Sequence, residues 1–306
     1  MDELPDRVLA AIGGTDVVAA LANLSGSDFT SLMLAVARRR AGQETPASVL
    51  RRYRSDRFVQ PADTSWQLLR AAEDRMSAHL PPGTQLLTLP PLVPLATHAV
   101  LGPMSQDRVV TAMRASEVAA DPTNALALEA AVRRKAGDLR STVRLAAFQR
   151  VVRAPRPSPG FLPHFSLLGL VTAGRDDGGH RFERESVAEH VRSLAAGLAA
   201  AGAGPAQLAL TPLSPAGDTI AAAVTAELAG TPLAIQLDPE RRAGRGYYRD
   251  LCFKLNVRSG AGWAEIGDGG FTDWTARLTA SSKERLLISG VGIDRVVAVT
   301  SEKPDP

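Results

Sequence analysis

Residues 286–296 read LLISGVGIDRV. An apolar strand runs through Gly290 and Gly292 and then into a helix that carries Arg295 in its first turn. Glycine lets another group approach the backbone closely, whereas a cation in a first helical turn opposes the helix dipole. A local rule broken in this way is typical of a functional site. A plain strand–turn–helix with an exposed arginine is the alternative interpretation.

A second unusual stretch precedes it, at residues 243–255, AGRGYYRDLCFKL. It holds two of the three tyrosines of the chain, Tyr247 and Tyr248, side by side. Neighbouring residues of a strand point to opposite faces, so one of the two phenols is expected to point away from the core. A strand that is buried on both faces is the alternative.

The segment 149–165, QRVVRAPRPSPGFLPHF, predicts a hairpin that brings Arg153 close to Phe165. Arginine binds phosphate through two parallel hydrogen bonds, and an aromatic ring can stack on a base. The hairpin is therefore a candidate nucleotide site. A surface hairpin with solvated arginines is the simpler interpretation.

Two further segments are candidates for ligand contacts. In EIGDGGFTDW, Gly269 and Gly270 either let a ligand approach a sheet or form a tight turn. In RASEVAADPTN, Glu117 and Asp121 are candidates to hold an amino group, although a helix N-cap is the favoured role for Asp121. The histidines show no metal-ligand spacing, so no metal site is predicted from them.

The overall composition is that of an ordinary globular protein. The chain has 306 residues, 45% apolar content and a net charge of +3, which makes no general case for nucleic-acid binding. A single cysteine, Cys252, excludes an internal disulfide and favours a reducing, cytoplasmic setting. No signal peptide or membrane span is expected. The basic clusters ARRRAG and RRYRSDR leave RNA binding open as a weaker alternative.

The order of patterns predicts an α+β protein. Residues 1–58 are expected to form a small helical N-terminal extension, with Ser27 and Thr45 as helix N-caps. Residues 59–306 are expected to form one domain in which helices flank a mostly antiparallel sheet, because several strands are joined as hairpins.

Taken in order, these segments resemble the catalytic domain of class II aminoacyl-tRNA synthetases, and most closely its histidyl-tRNA synthetase branch. That branch carries RGLDYYTGTVFE, then GGGRYD, then a glycine-rich strand that ends in an acidic residue and arginine. The same places here read GRGYYRDLCFK, GDGGFTD and GVGIDR. The resemblance spans roughly residues 60–300. It implies an antiparallel sheet flanked by helices and a homodimer formed through residues 85–95.

The resemblance also implies roles around ATP. Arg153 corresponds to the arginine that binds the α-phosphate, Phe165 to the phenylalanine that stacks on adenine, and Arg295 to the arginine near the γ-phosphate. Mg²⁺ is implied together with ATP. Positive charge can stabilise the transition state for adenylate formation, so Arg153 and Arg295 are the predicted catalytic residues.

An amino-acid pocket is implied next to the nucleotide. Tyr247, Tyr248, Gly269 and Gly270 would line it, and Glu117 together with a tyrosine would hold the amino group. One phenol would then face the core and its neighbour the ligand.

Several positions depart from the pattern of the family. Pro155 stands where the family has a glutamate, and Leu167 where it has a glutamine. Ala243 stands where it has an arginine, although Arg242 and Arg245 are close enough to substitute. These losses put catalysis in doubt, whereas the retained arginines favour it.

Two functions follow from the resemblance. The first is an enzyme that activates an amino acid or similar carboxylate with ATP for a non-standard acceptor. The second is a non-catalytic paralogue that binds a partner enzyme, as the regulatory subunit of ATP phosphoribosyltransferase does. No anticodon-binding domain is expected, and tRNA is not expected to be the acceptor. The identity of the carboxylate does not follow from the sequence, because selectivity depends on the shape of the pocket.

Overall fold

A computed structural model of the protein describes residues 4–102, 104–137, 141–154, 163–242, 244–260 and 262–301. The predicted positions Pro155 and Ala243 lie outside these residues. The first part of the chain is helical, as expected, and none of the residues in its four helices is buried. The helices are α1 (Asp6–Ile12), α2 (Thr15–Ala22), α3 (Gly26–Ala41) and α4 (Pro46–Ser55).

The caps of α3 and α4 explain where these helices begin. Ser25, and not the expected Ser27, caps α3, because its hydroxyl accepts a hydrogen bond from the backbone N–H of Asp28 while Ser27 is already helical. Thr45 caps α4 as predicted, in a reciprocal pair of hydrogen bonds with Ser48.

The rest of the chain is built on a sheet of eight strands in the order β1-β5-β6-β11-β10-β9-β7-β8. Among the described residues, five neighbouring pairs are antiparallel and the two outermost pairs are parallel, which confirms the predicted α+β class. The strands are β1 (Gln85–Leu86), β5 (Val143–Val152), β6 (His164–Arg175), β7 (Ala206–Pro212), β8 (Ala234–Leu237), β9 (Arg249–Ser259), β10 (Gly262–Thr272) and β11 (Glu284–Gly292).

A small three-stranded sheet lies between β1 and β5 in the chain. It has the order β2-β4-β3, with β2 (Leu92–Pro94), β3 (Thr111–Ala112) and β4 (Ser116–Val118). A short helix, α6 (Thr97–Leu101), and a 3₁₀ turn, Gln106–Arg108, connect these strands. Residues 108–120 therefore contain only two short strands, β3 and β4.

Helices cover both faces of the large sheet. Along β5, Leu145 and Ala147 pack toward one side, whereas Ala146 packs toward the other, as the alternation of a strand requires. The first side carries α7 (Pro122–Ala136) and α10 (Trp274–Thr279). The second carries α5 (Trp66–Ser77), α8 (Arg181–Ala200), α9 (Pro215–Glu227) and α11 (Ile293–Ser301).

The alternative that Gly269 and Gly270 form a tight turn is wrong, because both lie inside β10 and pair with strands on either side. Neither position has room for a side chain. A Cβ at Gly269 would lie 2.5 Å from the ring of Phe253, and one at Gly270 would lie 2.5 Å from the ring of Tyr248. The two glycines therefore allow aromatic side chains of the core to lie directly on the strand.

Candidate functional site

A small cavity of about 190 Å³ opens on the α7 side of the sheet. It lies among the start of α7, the end of β5, the segment before β9 and the middle of β10 and β11. Cavities that bury a drug-sized ligand have about 300–1,000 Å³, so this one suits a smaller molecule. Its polar and aromatic lining includes Asp121, Arg153, Tyr247, Tyr248, Asp268 and Trp274.

A larger groove of about 690 Å³ lies elsewhere, along α8. Its charged side chains are largely engaged with one another, for example Arg144 with Glu189 at 2.8 Å and Arg181 with Asp177. None of the predicted site residues lines this groove, whereas the small cavity contains three of them. We therefore take the small cavity as the candidate site.

The paired tyrosines both contribute to this cavity. They precede β9, in a turn and not in the strand itself, so they do not alternate between faces. The ring centroids of Tyr247 and Tyr248 are 4.1 Å apart, and that of Tyr247 lies 6.2 Å from Trp274. Burial, followed by the charge of Asp268, raises the pKa of each phenol. Both hydroxyls are therefore neutral hydrogen-bond donors near pH 7.

Asp268 is a carboxylate that the sequence did not single out. It projects from β10 and accepts hydrogen bonds on Oδ2 from Arg241 at 2.9 Å and from the Tyr248 hydroxyl at 3.3 Å. Oδ1 receives no hydrogen bond from the part of the chain that the structure describes. Burial raises the pKa of Asp268 and the Arg241 guanidinium opposes that rise.

Arg241 fixes the position of the Asp268 carboxylate through a hydrogen-bonded ion pair. Its side chain is buried, donates to the carbonyl of Phe253 at 2.8 Å, and lies over the ring of Tyr248 with 5.5 Å between guanidinium carbon and centroid. The sequence pointed to Arg242 and Arg245 as substitutes for a missing arginine. Both of these are exposed, and Arg245 donates to the backbone of Arg241 at 3.4 Å.

Asp121 and Arg153 form a further wall of the cavity. Asp121 caps α7 through the backbone N–H of Thr123, as expected, and its other oxygen accepts from Arg153 at 3.1 Å. Arg153 also donates to the carbonyl of Ala120 at 2.8 Å, and its guanidinium carbon lies 5.2 Å from the ring centroid of Phe165. The predicted proximity of Arg153 and Phe165 is thus present.

A buried histidine supports this wall. His98 Nε2 accepts a hydrogen bond from the backbone N–H of Ala120 at 3.0 Å, and Nδ1 lies 2.7 Å from the side-chain oxygen of Asn124. These partners require a neutral ring that carries its proton on Nδ1. His98 therefore fixes the backbone immediately before Asp121.

The structure places Glu117 away from the cavity. Its carboxylate is fully buried and accepts hydrogen bonds from the backbone N–H groups of Ala96 and His98 and from Gln106, at 2.9–3.0 Å. It joins β4 to the start of α6, which is a structural role. Asp121 and Asp268, and not Glu117, are the carboxylates that line the cavity.

Four other predicted residues also lie outside the cavity lining. Arg295 is exposed at the start of α11 and donates to the backbone carbonyl of Glu265 at 3.1 Å. Phe165 lies on β6 beneath Arg153, and Gly269 and Gly270 are buried by their aromatic neighbours.

Comparison with known proteins places this architecture among class II synthetases. No protein-family model matches the sequence, and no curated protein matches it. Among solved structures, an ATP phosphoribosyltransferase regulatory subunit/histidyl-tRNA synthetase from Bacillus halodurans is similar with a TM-score of 0.61 and 16% identity, over 79% of this chain and 83% of the other. Histidyl-tRNA synthetase from S. aureus gives 0.61 and 12%, over 79% and 73%.

Pyrrolysyl-tRNA synthetase from Desulfitobacterium hafniense is also similar, with a TM-score of 0.51 and 14% identity over 83% of this chain and 77% of the other. The chain therefore has the class II aminoacyl-tRNA synthetase fold, which confirms the predicted resemblance at the level of architecture. Within the described ranges, no helix is long and apolar enough to cross a membrane.

Proposed function

We propose that the cavity binds a small molecule with a protonated amino group, such as an amino acid, and that the protein activates its carboxylate with ATP. The observation that carries the proposal is the pair of carboxylates, Asp121 and Asp268, that line one small cavity. The charge of Asp121 contributes to the raised pKa of Asp268, so the two repel each other. An ammonium group between them would relieve this repulsion and donate a hydrogen bond to the unused Oδ1 of Asp268.

The phenols give the same cavity its shape and polarity. Tyr247 and Trp274 supply flat apolar walls, and the neutral Tyr247 hydroxyl adds a donor beside the carboxylates. Arg153 supplies a cation at the edge of the cavity, where the carboxylate of an amino acid would lie.

The nucleotide has to bind outside this cavity, which is too small to hold ATP as well. Phe165 and Arg153 offer a stacking ring and a phosphate ligand at its edge, and Arg295 offers a second exposed cation. For activation, an oxygen of the substrate carboxylate attacks the α-phosphorus and pyrophosphate leaves. Arg153 would have to exchange its contact with Asp121 for one with the α-phosphate.

Mg²⁺ fits this proposal only as an ion bound to the triphosphate of ATP. Within the described residues, no group of three histidine, cysteine, aspartate or glutamate side chains is arranged to hold a metal ion. Mg²⁺ commonly binds through substrate phosphates and few protein carboxylates, so it would arrive with ATP.

One observation favours a second function, that of a regulatory or scaffold subunit. The charge of Arg153 is already compensated by Asp121, and its guanidinium already covers Phe165. In that state two of the three predicted ATP contacts, Arg153 and Phe165, are occupied by the protein itself. The similar structure from Bacillus halodurans includes a regulatory subunit in its name, which supports the same alternative.

Calorimetric titration with matched ligands tests the proposed cavity chemistry. Each amino acid is compared with its N-acetyl derivative, and we expect binding of the free amine only. Asp268→Asn should weaken that binding about 10- to 100-fold, because a hydrogen bond to a charged group contributes about 1.5–3 kcal/mol. Glu265→Gln, on the same strand outside the cavity, is the control and should bind like the wild type. Binding of the N-acetyl derivatives with the same affinity as the free amino acids would contradict the proposal.

A further inference from the structure

The positive charge of the protein is concentrated in one short segment. Residues 38–57 contain seven arginines and two acidic residues, a net charge of +5 in twenty positions. The whole chain has 35 basic and 32 acidic residues, so the remaining 286 positions hold 28 and 30 and are slightly acidic. The excess of positive charge therefore belongs entirely to the end of α3 and to α4.

Five of these arginines form no salt bridge with the residues that the structure describes. Arg38, Arg39 and Arg40 in the last turn of α3, and Arg51 and Arg54 in α4, are all exposed, and none forms a salt bridge with the described residues. Arg70, which is also exposed, is by contrast paired with Glu73 and Asp74. The dipole of α3 favours cations at its C-terminus, but it leaves their charge available to a partner.

The five guanidinium groups lie within a limited distance of one another. The connection 42–45 spans at most about 14 Å when fully extended, at up to about 3.6 Å per residue. The positions 46–54 of α4 add about 12 Å at about 1.5 Å per residue. The backbone from residue 42 to residue 54 therefore extends over at most about 26 Å, which is less than one turn of a nucleic-acid duplex, roughly 34–36 Å.

We propose that this cluster, which we call the arginine arm (residues 38–57), binds the phosphodiester backbone of a nucleic acid. Several unpaired guanidinium groups on adjoining helices match a row of phosphates, which arginine binds through paired hydrogen bonds. Backbone binding also needs no buried groove, and none of the residues in α3 or α4 is buried. The proposal does not depend on the chemistry of the cavity.

An anionic membrane surface fits the segment less well. The apolar face of α4 consists of Val49, Leu50 and Tyr53, about one helical turn, and Arg38–Arg40 lie on a different helix. A helix that lies in a membrane interface is expected to bury a longer apolar face beneath its basic residues.

Fluorescence anisotropy with labelled twenty-nucleotide single strands tests the arginine arm in the full chain. The apparent binding constant should fall with salt with a log–log slope of about −3.5, since each phosphate contact contributes about −0.7 on a single strand. Affinity would then drop about a hundredfold between 50 and 200 mM KCl. RNA and DNA of the same sequence are compared. Tighter binding of one of them identifies it as the natural partner, whereas equal binding of both supports recognition of the phosphodiester backbone.

The decisive variant is R38A/R39A/R40A, whose slope should shrink by about two, to about −1.4. Because these residues are exposed, the far-UV circular dichroism of the variant should equal that of the wild type. The control R181A/R184A removes two arginines of α8 that form ion pairs, and it should leave affinity and slope unchanged. An unchanged slope in the triple variant, no binding at 50 mM KCl, or capture by phosphatidylserine vesicles without nucleic-acid binding would overturn the proposal.

Discussion

At the scale of single residues, His190 shows how burial fixes a charge state. Its ring lies fully buried between α8 and the sheet, with Nε2 at 2.8 Å from the hydroxyl of Thr172 and Nδ1 at 2.8 Å from that of Ser289. Burial, assisted by the charge of Arg144, lowers the pKa of His190 to about 3. The two hydroxyls satisfy a neutral ring, so this histidine is a structural residue of the core and is not available to the cavity.

The depressed pKa of His190 makes folding stability depend on pH. The unfolded chain binds a proton near pH 6.5 and the folded chain only near pH 3, so stability is present above 6.5 and is lost as pH falls. We expect His190→Asn to remove a slope of about 1.4 kcal/mol per pH unit between pH 6 and 4.

Urea unfolding at several pH values measures this slope. His79→Asn, at an exposed position of the chain, is the control and should keep the slope of the wild type. A difference in free energy of unfolding between wild type and His190→Asn that is constant with pH would contradict the buried neutral histidine.

The roles of individual side chains were harder to predict from the sequence than the secondary-structure elements or the fold. The Asp121 cap followed from local rules, because a cap needs only the residues of its own turn. Asp268, Arg241 and Glu117 did not, because their roles are set by partners distant in sequence. The signal that could have identified Asp268 is a charged residue inside a glycine-rich strand, whereas Arg241 gave no signal beyond its place before the tyrosines.

At the scale of elements, a buried ion pair joins α7 to β11 across 150 residues of sequence. Arg134 donates to both oxygens of Glu284, at 2.7 and 2.8 Å, and both side chains are almost fully removed from water. This pair fixes α7, whose first turn carries Asp121, against the strand whose middle lines the cavity.

Breaking this pair should cost much more than breaking an exposed one. Glu284→Gln leaves the charge of Arg134 buried beside a neutral amide, and we expect a loss of about 3–5 kcal/mol in the free energy of unfolding. The neighbouring pair Arg133–Glu129 is half-exposed, so Glu129→Gln is the control, at about 0.5 kcal/mol or less. Urea unfolding of the two variants makes the comparison, and equal losses would contradict a buried ion pair.

Helices and strands were predicted well where they follow from a long periodic pattern or a local capping rule. They were predicted poorly where contacts with residues distant in sequence determine the local structure. The helix after Thr45 and the strand–helix transition at Arg295 follow from capping and glycine rules, and both are present. Gly269 and Gly270 suggested a turn, but in this chain the pair accommodates Phe253 and Tyr248 on a continuous strand. Sequence alone does not distinguish a glycine needed for a turn from one needed for packing.

At the scale of the whole molecule, the order of the motifs carried the prediction of the fold. The glycine–arginine stretch at 286–296 ends the central strand β11 and starts α11, beside the hairpin of β5 and β6. The overall fold is shared with solved class II synthetases at 12–16% identity. Fold survives at that level of identity, whereas activity depends on the particular side chains in the site.

The measurement that tests the central claim most directly is ATP–pyrophosphate exchange by the purified protein with each of the twenty amino acids, histidine included. We expect exchange with at least one, and a loss of about 10²–10³-fold in Arg153→Ala, the usual effect of removing a group that stabilises transition-state charge. Arg150→Ala, on the same hairpin, is the control. Absence of exchange with every amino acid, together with absence of ATP binding by calorimetry, would contradict the activating function and favour a regulatory subunit.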